Sequence, residues 1–459
     1  YWSSPVTGQS LAGIYTSPAQ GPKYSWNTTI TNGNGGQGNW VNPPATMAVG
    51  SGYIVRGSSS FGMAATAINS TFIGVPNNGT IPVTVQRGNY TGAPYPGANG
   101  IPINNLDDNY NLLGNPYPSA LNGLQFLSDN SAVIEGNVKL WKHGFSPAST
   151  NANPFYASFA YNYSASDYTT INFTGPTTPL LTDIIKSGQA FFVEMKDGAS
   201  GNNVVNFRNT QRSNSGTPYA NDAFFRTTNA EGITSEVIER NRIWLDIVDA
   251  NNIAETTLLG YITGATEAKE SAFDAIASTL PMGIYSVIAD ETFVIQGRSL
   301  PFNNNDQVAI GFNVPNAGNY HIAINTIDGL FLDTTQNIYL EDKITNVIHN
   351  LKTSPYSFTT ATGIHNERFV LRYTNQTLGT EDFTANDIKV YANESINVIA
   401  TNQTIKSVRV YDLLGRILGN FNNVNATTFS TTTIVKTQTA LIVEVVLENG
   451  AKQSHKVIF

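Results

Sequence analysis

The chain has 459 residues, 41% hydrophobic and only 13% charged, with a formal net charge of −8 and no cysteine. That length is too great for one small core and implies two to four domains. The missing Cys excludes disulfides, thiol catalysis and Cys-ligated zinc, and an acidic balance without a basic stripe argues against nucleic acid.

Aromatics make up 11% of the residues, and Asn, Thr, Ser and Gly dominate the polar set. Such a mix suits a β-rich extracellular protein, since disorder needs more charge and fewer aromatics. There is no charged-then-apolar leader and no apolar run of membrane-span length, so the sequence reads as soluble and as a mature or truncated piece of a longer product. Charge is uneven: residues 1–215 carry +1, 216–377 carry −9 and 378–459 carry 0. The plain reading of the acidic middle is a solvated surface.

Residues 1–106 read as a first β module. Ser3-Ser4-Pro5 closes a strand, and Gly52-Tyr53-Ile54-Val55, Phe72-Ile73-Gly74 and Ile81-Pro82-Val83-Thr84-Val85 supply further strand signals. Residues 107–215 read as a second module and a candidate repeat of the first. Gly114-Asn115-Pro116-Tyr117-Pro118-Ser119 closes a strand there, Gly188-Gln189-Ala190-Phe191-Phe192-Val193 echoes the earlier Gly-Tyr-Ile-Val, and 153–179 is the candidate insertion. A Pro-bearing strand end is tolerated where a ladder N–H is not needed. Superposition is expected to place Gly52 on Gly188.

Residues 216–377 read as an acidic β-sandwich or jelly roll. Alternating runs such as Ile243-Trp244-Leu245-Asp246-Ile247 recur at 8–12-residue spacing between turn signals. Residues 268–276 are the best helix candidate, and 375–384 is the expected linker.

Residues 378–459 read as a small Ig-like sandwich. Val408-Arg409-Val410-Tyr411-Asp412-Leu413-Leu414-Gly415-Arg416 is a strand broken by a turn at Asp412 to Gly415, Leu441-Ile442-Val443-Glu444-Val445 is a late strand, and Asn449-Gly450 leads to Lys456-Val457-Ile458-Phe459. Gly415 can take φ > 0 where the chain reverses. Asn449-Gly450 is a strong two-residue hairpin signal, which would pair Glu448 with Ala451 and set Glu444 opposite His455. The fold class expected for the whole is therefore all-β, several sandwich modules ending in a small Ig-like domain, with one or two short helices.

The residues from Val408 to Arg416, the Leu-Ile-Val strand, the Asn-Gly turn and the basic-aliphatic last strand resemble the C-terminal sorting domains of type IX secretion system cargo. The Pro-Asn-Pro opening and G-x-Y-x-V strand of the commoner type A are absent. Leu441-Ile442-Val443 and Leu447-Glu448-Asn449-Gly450 look more like type B, found on gliding-motility adhesins and other large surface proteins. The resemblance spans roughly the last 80 residues. A generic Ig-like terminal module is the alternative. The resemblance implies export across the outer membrane by the type IX translocon, engagement of a PorP/SprF-type outer-membrane barrel, and a final location outside the cell or on its surface. The export-signal residues it points to are Val410, Tyr411, Asp412, Gly415, Arg416, Leu441, Val443, Asn449, Gly450, Lys456, Val457, Ile458 and Phe459. The Gly-Asn-Pro-Tyr-Pro-Ser segment and the Gln-Ala-Phe-Phe-Val strand also resemble a recurrent ectodomain region of such secreted proteins, with no enzymatic assignment.

No catalytic motif is present. The five histidines, His143, His321, His349, His365 and His455, show no metal spacing. Asp107, Asp108, Asp167 and Glu194, near Trp141, Tyr161 and Tyr163, are candidates for a glycosidase pair or a sugar platform. The plainer reading has aromatics filling sheet faces and Asp turning the chain. For Ca2+, Asp246 with Asp249 and Glu341 with Asp342 offer oxygens, but no calcium-loop motif is present. No other cofactor is expected. Asn27 and Asn172 begin Asn-x-Thr triplets expected by chance in so Asn/Thr-rich a chain. The functions in view are an adhesive or glycan-binding surface protein, a polysaccharide-degrading enzyme with the same export domain, and a non-binding structural stalk.

Overall fold

The structure is a computed structural model that describes residues 1–459 except 17–18, 30–37, 59, 61–67, 89–92, 94, 97–101, 104–108, 143–166, 180, 198–202, 215–216, 220–237, 278–280, 376–387, 402, 449 and 451. The chain divides into two compact units, Tyr1–Asn375 and Gln376–Phe459. The fold is all-β. Among the described residues the one α-helix is Gly123–Asp129, whose first turn is capped by Asn122, the side chain accepting from the Gln125 N–H at 2.8 Å. The expected helix at 268–276 is instead irregular, ending in the short strand Ala275–Ile276. Its acids take the backbone donors a helix would need: Glu270 accepts from the Thr266 N–H and Asp274 from the Glu270 N–H, both at 2.6 Å.

The largest sheet contains the acidic stretch. Its strand order is Val347–Asn350, Tyr339–Asp342, Gly363–Arg372, Gln307–Val314, Gly283–Ile288, Glu291–Arg298, Ala254–Ile262, Arg240–Val248, Gly318–Ile327 and Tyr356–Thr360. All these neighbours are antiparallel except Ala254–Ile262 with Glu291–Arg298. The strands read from alternation are therefore present. The sheet curls until its ends approach one another: the Tyr356 hydroxyl donates to Asp342 at 2.9 Å and Arg368 donates to the Thr359 carbonyl at 2.9 Å. Inside lies a core of Leu245, Tyr261, Phe312, Phe331, Leu340 and Phe369, all buried.

Residues 1–106 and 107–215 do not form separate modules. Ile81–Thr84 pairs with Val204–Phe207, Ser51 bridges Leu113, and Trp2 bridges both Tyr53 and Gln189. Nor is the second a copy of the first. Lys23–Asn27, Asn39–Val41 and Tyr53–Val55 make a three-stranded sheet, whereas Tyr168–Ile171, Val138–Trp141, Ala190–Glu194 and Tyr110–Gly114 make a four-stranded one. Gly188 has φ +74°, a conformation Gly52 does not share. The shared Gly-aromatic-aliphatic pattern reflects two buried strands with similar burial needs.

The Gly-Asn-Pro segment has a local physical cause. A Cβ on Gly114 would overlap the Ser3 side chain. Asn115 is fully buried; its amide reaches the carbonyls of Ser119, Ile185 and Lys186 at 2.9–3.1 Å, and its oxygen accepts from the Tyr117 N–H at 3.0 Å. Asn115→Ala should therefore destabilise Tyr1–Asn375 by about 1–3 kcal/mol, because buried carbonyls lose their donor. A denaturant midpoint equal to that of the parent would contradict this role.

In Gln376–Phe459 a three-stranded sheet, Ile388–Ala392, Ile396–Ala400 and Thr428–Thr431, accompanies a four-stranded one ordered Ile417–Ala426, Ile405–Asp412, Ala440–Leu447 and Lys452–Ile458. Three strands with four is the count of a small Ig-like sandwich. The terminal hairpin differs from expectation by one residue. Val443 pairs with His455 and Glu444 with Ser454, the last pair being Val446 with Lys452, so the connection is longer than two residues. A one-residue slip exchanges the faces of every side chain. The observed register buries Val457 and Phe459 and leaves Lys452 and Lys456 exposed. The two-residue turn would have put both lysines into the core. Gly450 has φ +89° and donates to the Leu447 carbonyl at 3.0 Å; Asn449 and Ala451 lie outside the described residues.

Candidate functional site

The four-stranded sheet of the C-terminal unit brings together stretches that are distant in sequence. Asp412 lies opposite Leu441 and Leu441 opposite Val457; Tyr411 lies opposite Ile442 and Ile442 opposite Lys456. The 412–416 turn and the last strand thus share one end of one sheet.

Asp412 builds the turn. One carboxylate oxygen accepts from the backbone N–H of Leu414 and of Arg416, each at 2.9 Å, and the other accepts from Arg416 Nε at 2.6 Å. The Gly415 N–H donates to the Asp412 carbonyl at 3.0 Å, and Gly415 takes φ +82°. The Arg416 backbone N–H, followed by its guanidinium, holds the Asp412 carboxyl below the usual carboxylate range. A turn so tied displays its tip residues in one conformation. Leu413 is 62% exposed and Leu414 82% exposed.

The remaining candidate residues divide by face. Val410, Leu441, Val443, Val457 and Phe459 belong to the buried core with Ile396, Val398 and Val445. They hold the sandwich and are closed to a partner. Tyr411, Arg416, Lys456 and Ile458 lie on the outward side, Ile458 being 71% exposed. Behind them Arg409 and Lys452 both reach Glu444, at 3.6 and 2.8 Å. Sequence reasoning placed recognition on the Tyr411–Arg416 turn but did not single out Leu413, Leu414 or Ile417. The signal that marks the two leucines is apolar identity at a turn, where polar residues are the rule.

The described carboxylates considered for chemistry are otherwise engaged. Glu194 lies 3.4 Å from Nζ of the buried Lys139, which also sits 5.8 Å above the Tyr110 ring. Trp141 stacks on Tyr1 at 5.5 Å within an aromatic cluster that includes Trp40 and Phe192. Asp167 is buried; Asp107, Asp108, Tyr161, Tyr163 and His143 lie outside the described residues. Asp246 accepts from Thr256 and Asn325, Asp249 from the Asn251 and Ile253 N–H groups, Glu341 binds Arg372, and Asp342 binds Arg368. Burial, ahead of the relieving hydrogen bonds, raises the Asp246 carboxyl above its ordinary value, which disfavours the charged form a cation needs. Among the described residues no group of three His, Asp or Glu side chains converges as a metal site. His349 contacts the Ser354 carbonyl, His365 the Ala361 carbonyl and His455 the Gln453 side chain, so these three serve separate local roles.

Fold and site together define an all-β protein of two units, the smaller carrying an outward apolar end. Residues 1–373 match the family described as "Domain of unknown function (DUF8693)", and the chain belongs to that family. Residues 378–459 match a second, "Domain of unknown function (DUF8694)". No curated protein matches the chain. Among solved structures, Tp47, the 47-kilodalton lipoprotein of Treponema pallidum, is similar at 11% identity over 48% of this chain and 87% of that one, with a TM-score of 0.14. At that score the likeness carries no argument.

Proposed function

We propose that residues 378–459 are a type B-like sorting domain that directs the protein across the outer membrane through the type IX translocon, and that residues 1–377 are its adhesive or glycan-binding cargo. The reading places the protein outside the cell or on its surface, in the class of gliding-motility and other surface adhesins, and assigns it no catalysis. One observation supports it most. The two stretches that carry the resemblance, the 411–416 turn and the last strand, are assembled at one end of one sheet through the pairings of Asp412 with Leu441 and Leu441 with Val457. A signal made this way exists only in the folded domain, as an export tag read after folding would require. Within this reading the PorP/SprF-type barrel contacts the outward residues Tyr411, Arg416, Lys456 and Ile458.

A fluorescent reporter fused to residues 378–459 should reach the cell surface only where the cognate barrel is expressed. Retention in the periplasm with every type IX component present would sink the proposal. For the cargo, a glycan array probed with the full chain should give saturable binding, and a blank array would leave a structural stalk as the better reading.

A further inference from the structure

The outward face of the four-stranded sheet is not uniform along the strands. At the end bearing the 412–416 turn it is apolar: Leu413 and Leu414 at the tip, then Ile417, Tyr411 and Ile442 side by side, and Ile458 opposite Ala440. Ile417 is 58% exposed. Cations flank this end and follow behind it. Arg416 stands at the turn and Lys456 opposite Ile442, with Arg409 and Lys452 one step and two steps further along. Near this end the carboxylates are Asp412, fixed in the turn, and Glu444, which lies between Arg409 and Lys452. This end is therefore net positive on a chain whose formal charge is −8.

We propose that this end of the C-terminal unit docks on an anionic lipid surface, the leucine tip entering the headgroup–acyl boundary and the cations meeting the headgroups. The inference goes beyond the export reading and does not depend on it. Three features favour a lipid surface over a protein groove. Leu413 and Leu414 project from the tip of a turn, 62% and 82% exposed. Part of the charge stands back from the tip: a strand rises about 3.3 Å per residue, so Arg409 lies about 7 Å behind Tyr411, comparable with the roughly 5–10 Å to which interfacial apolar groups are buried, while Arg416 and Lys456 flank the apolar row. And Tyr411, half-buried, lies in the apolar row with its hydroxyl 3.4 Å from Glu444 among the charged residues, the amphipathic placement that favours a membrane interface. Lipid headgroups of negative charge complement the cations and add an attraction that salt screens.

Flotation of the full chain with phosphatidylcholine vesicles, with and without about 30 mol% phosphatidylglycerol, tests this. The chain should float with the anionic vesicles, at least about fivefold less with neutral ones, and less again at high salt. Leu413→Asp with Leu414→Asp should reduce flotation about tenfold or more, and Lys456→Glu about threefold. All three side chains are exposed, so circular dichroism and protease resistance should be unchanged. Absence of flotation, or undiminished flotation of the double variant, overturns the proposal. If the parent does not float yet the double variant loses barrel-dependent export, the tip belongs to a protein partner; the lipid proposal then fails while the export reading stands. Flotation with the predicted variant losses, together with barrel-independent export, gives the reverse.

Discussion

Asp342→Ala is expected to destabilise Tyr1–Asn375 by about 3–5 kcal/mol, the cost of leaving a buried partner charge uncompensated. The Asp342 side chain is 0% exposed and the Arg368 side chain 8% exposed. The carboxylate accepts from Arg368 Nη2 at 2.8 Å, from the Tyr356 hydroxyl at 2.9 Å and from the Ile344 N–H at 2.9 Å. The guanidinium in turn packs over Phe358 and Phe369, at 4.8 and 5.0 Å from their ring centres. These contacts join the strand Tyr339–Asp342 to Gly363–Arg372 and to Tyr356–Thr360 at the opposite edge of the same sheet. Losing the carboxylate therefore opens the place where the curled sheet comes back on itself. The variant should lower the denaturant midpoint and raise amide exchange first in Tyr356–Thr360. A change below about 1 kcal/mol would mean that the pair does not hold the sheet ends.

The same carboxylate sets a pH dependence. Burial by itself would raise its pKa, but the hydrogen bonds from Arg368, Ile344 and Tyr356 outweigh that and hold the group below its ordinary value. A carboxyl depressed in the folded state contributes stability fully above its unfolded pKa of about 3.9, and the contribution is lost as pH falls through the folded value. The parent should thus lose stability in acid more steeply than Asp342→Ala, and the two curves should converge at low pH. Parallel curves from neutral pH into acid would contradict the linkage.

What was legible in the sequence follows from which forces act locally. Strands of the acidic sheet were readable because Ile243, Leu245 and Ile247 recur with a two-residue period, flanked by Arg242 and Asp246, and share one buried core, although Trp244 between them is buried on the other face. The helix at Gly123–Asp129 was not, since its seven residues are too few for periodicity to show, while Asn122 at its cap could have been noticed. The supposed repeat failed because similar strand patterns follow from similar burial, whereas pairing partners such as Ile81–Thr84 with Val204–Phe207 are set by tertiary contacts. At the candidate site, composition and order marked the turn and the last strand. Which of their residues face outward depends on register, and register was decided by the cost of burying Lys452 and Lys456 rather than by the Asn-Gly dipeptide.

That register makes adjacent residues at the chain end behave oppositely. Phe459→Ala should destabilise the C-terminal unit by about 3–5 kcal/mol, the range for a buried aromatic truncated to Ala. Phe459 is 3% exposed and packs in the core with Ile388, Leu441 and Val457. Its backbone exchanges hydrogen bonds with Thr439 at 3.1 Å in both directions, and these survive truncation of the ring. Ile458→Asp, one residue earlier, replaces a side chain 71% exposed on the outward face and should change stability by no more than about 0.5 kcal/mol. Deleting 456–459 removes Phe459 and Val457 together, so it should unfold the sandwich, and loss of export by that deletion would report folding and not recognition. The point variants separate the two. Amide exchange over Ala440–Leu447 reads the fold directly: it should accelerate strongly in Phe459→Ala and stay at the parent level in Ile458→Asp. If Ile458→Asp keeps that protection and loses surface display, the outward face is a recognition element. If it keeps both, recognition lies elsewhere on the domain and the last strand serves the core alone.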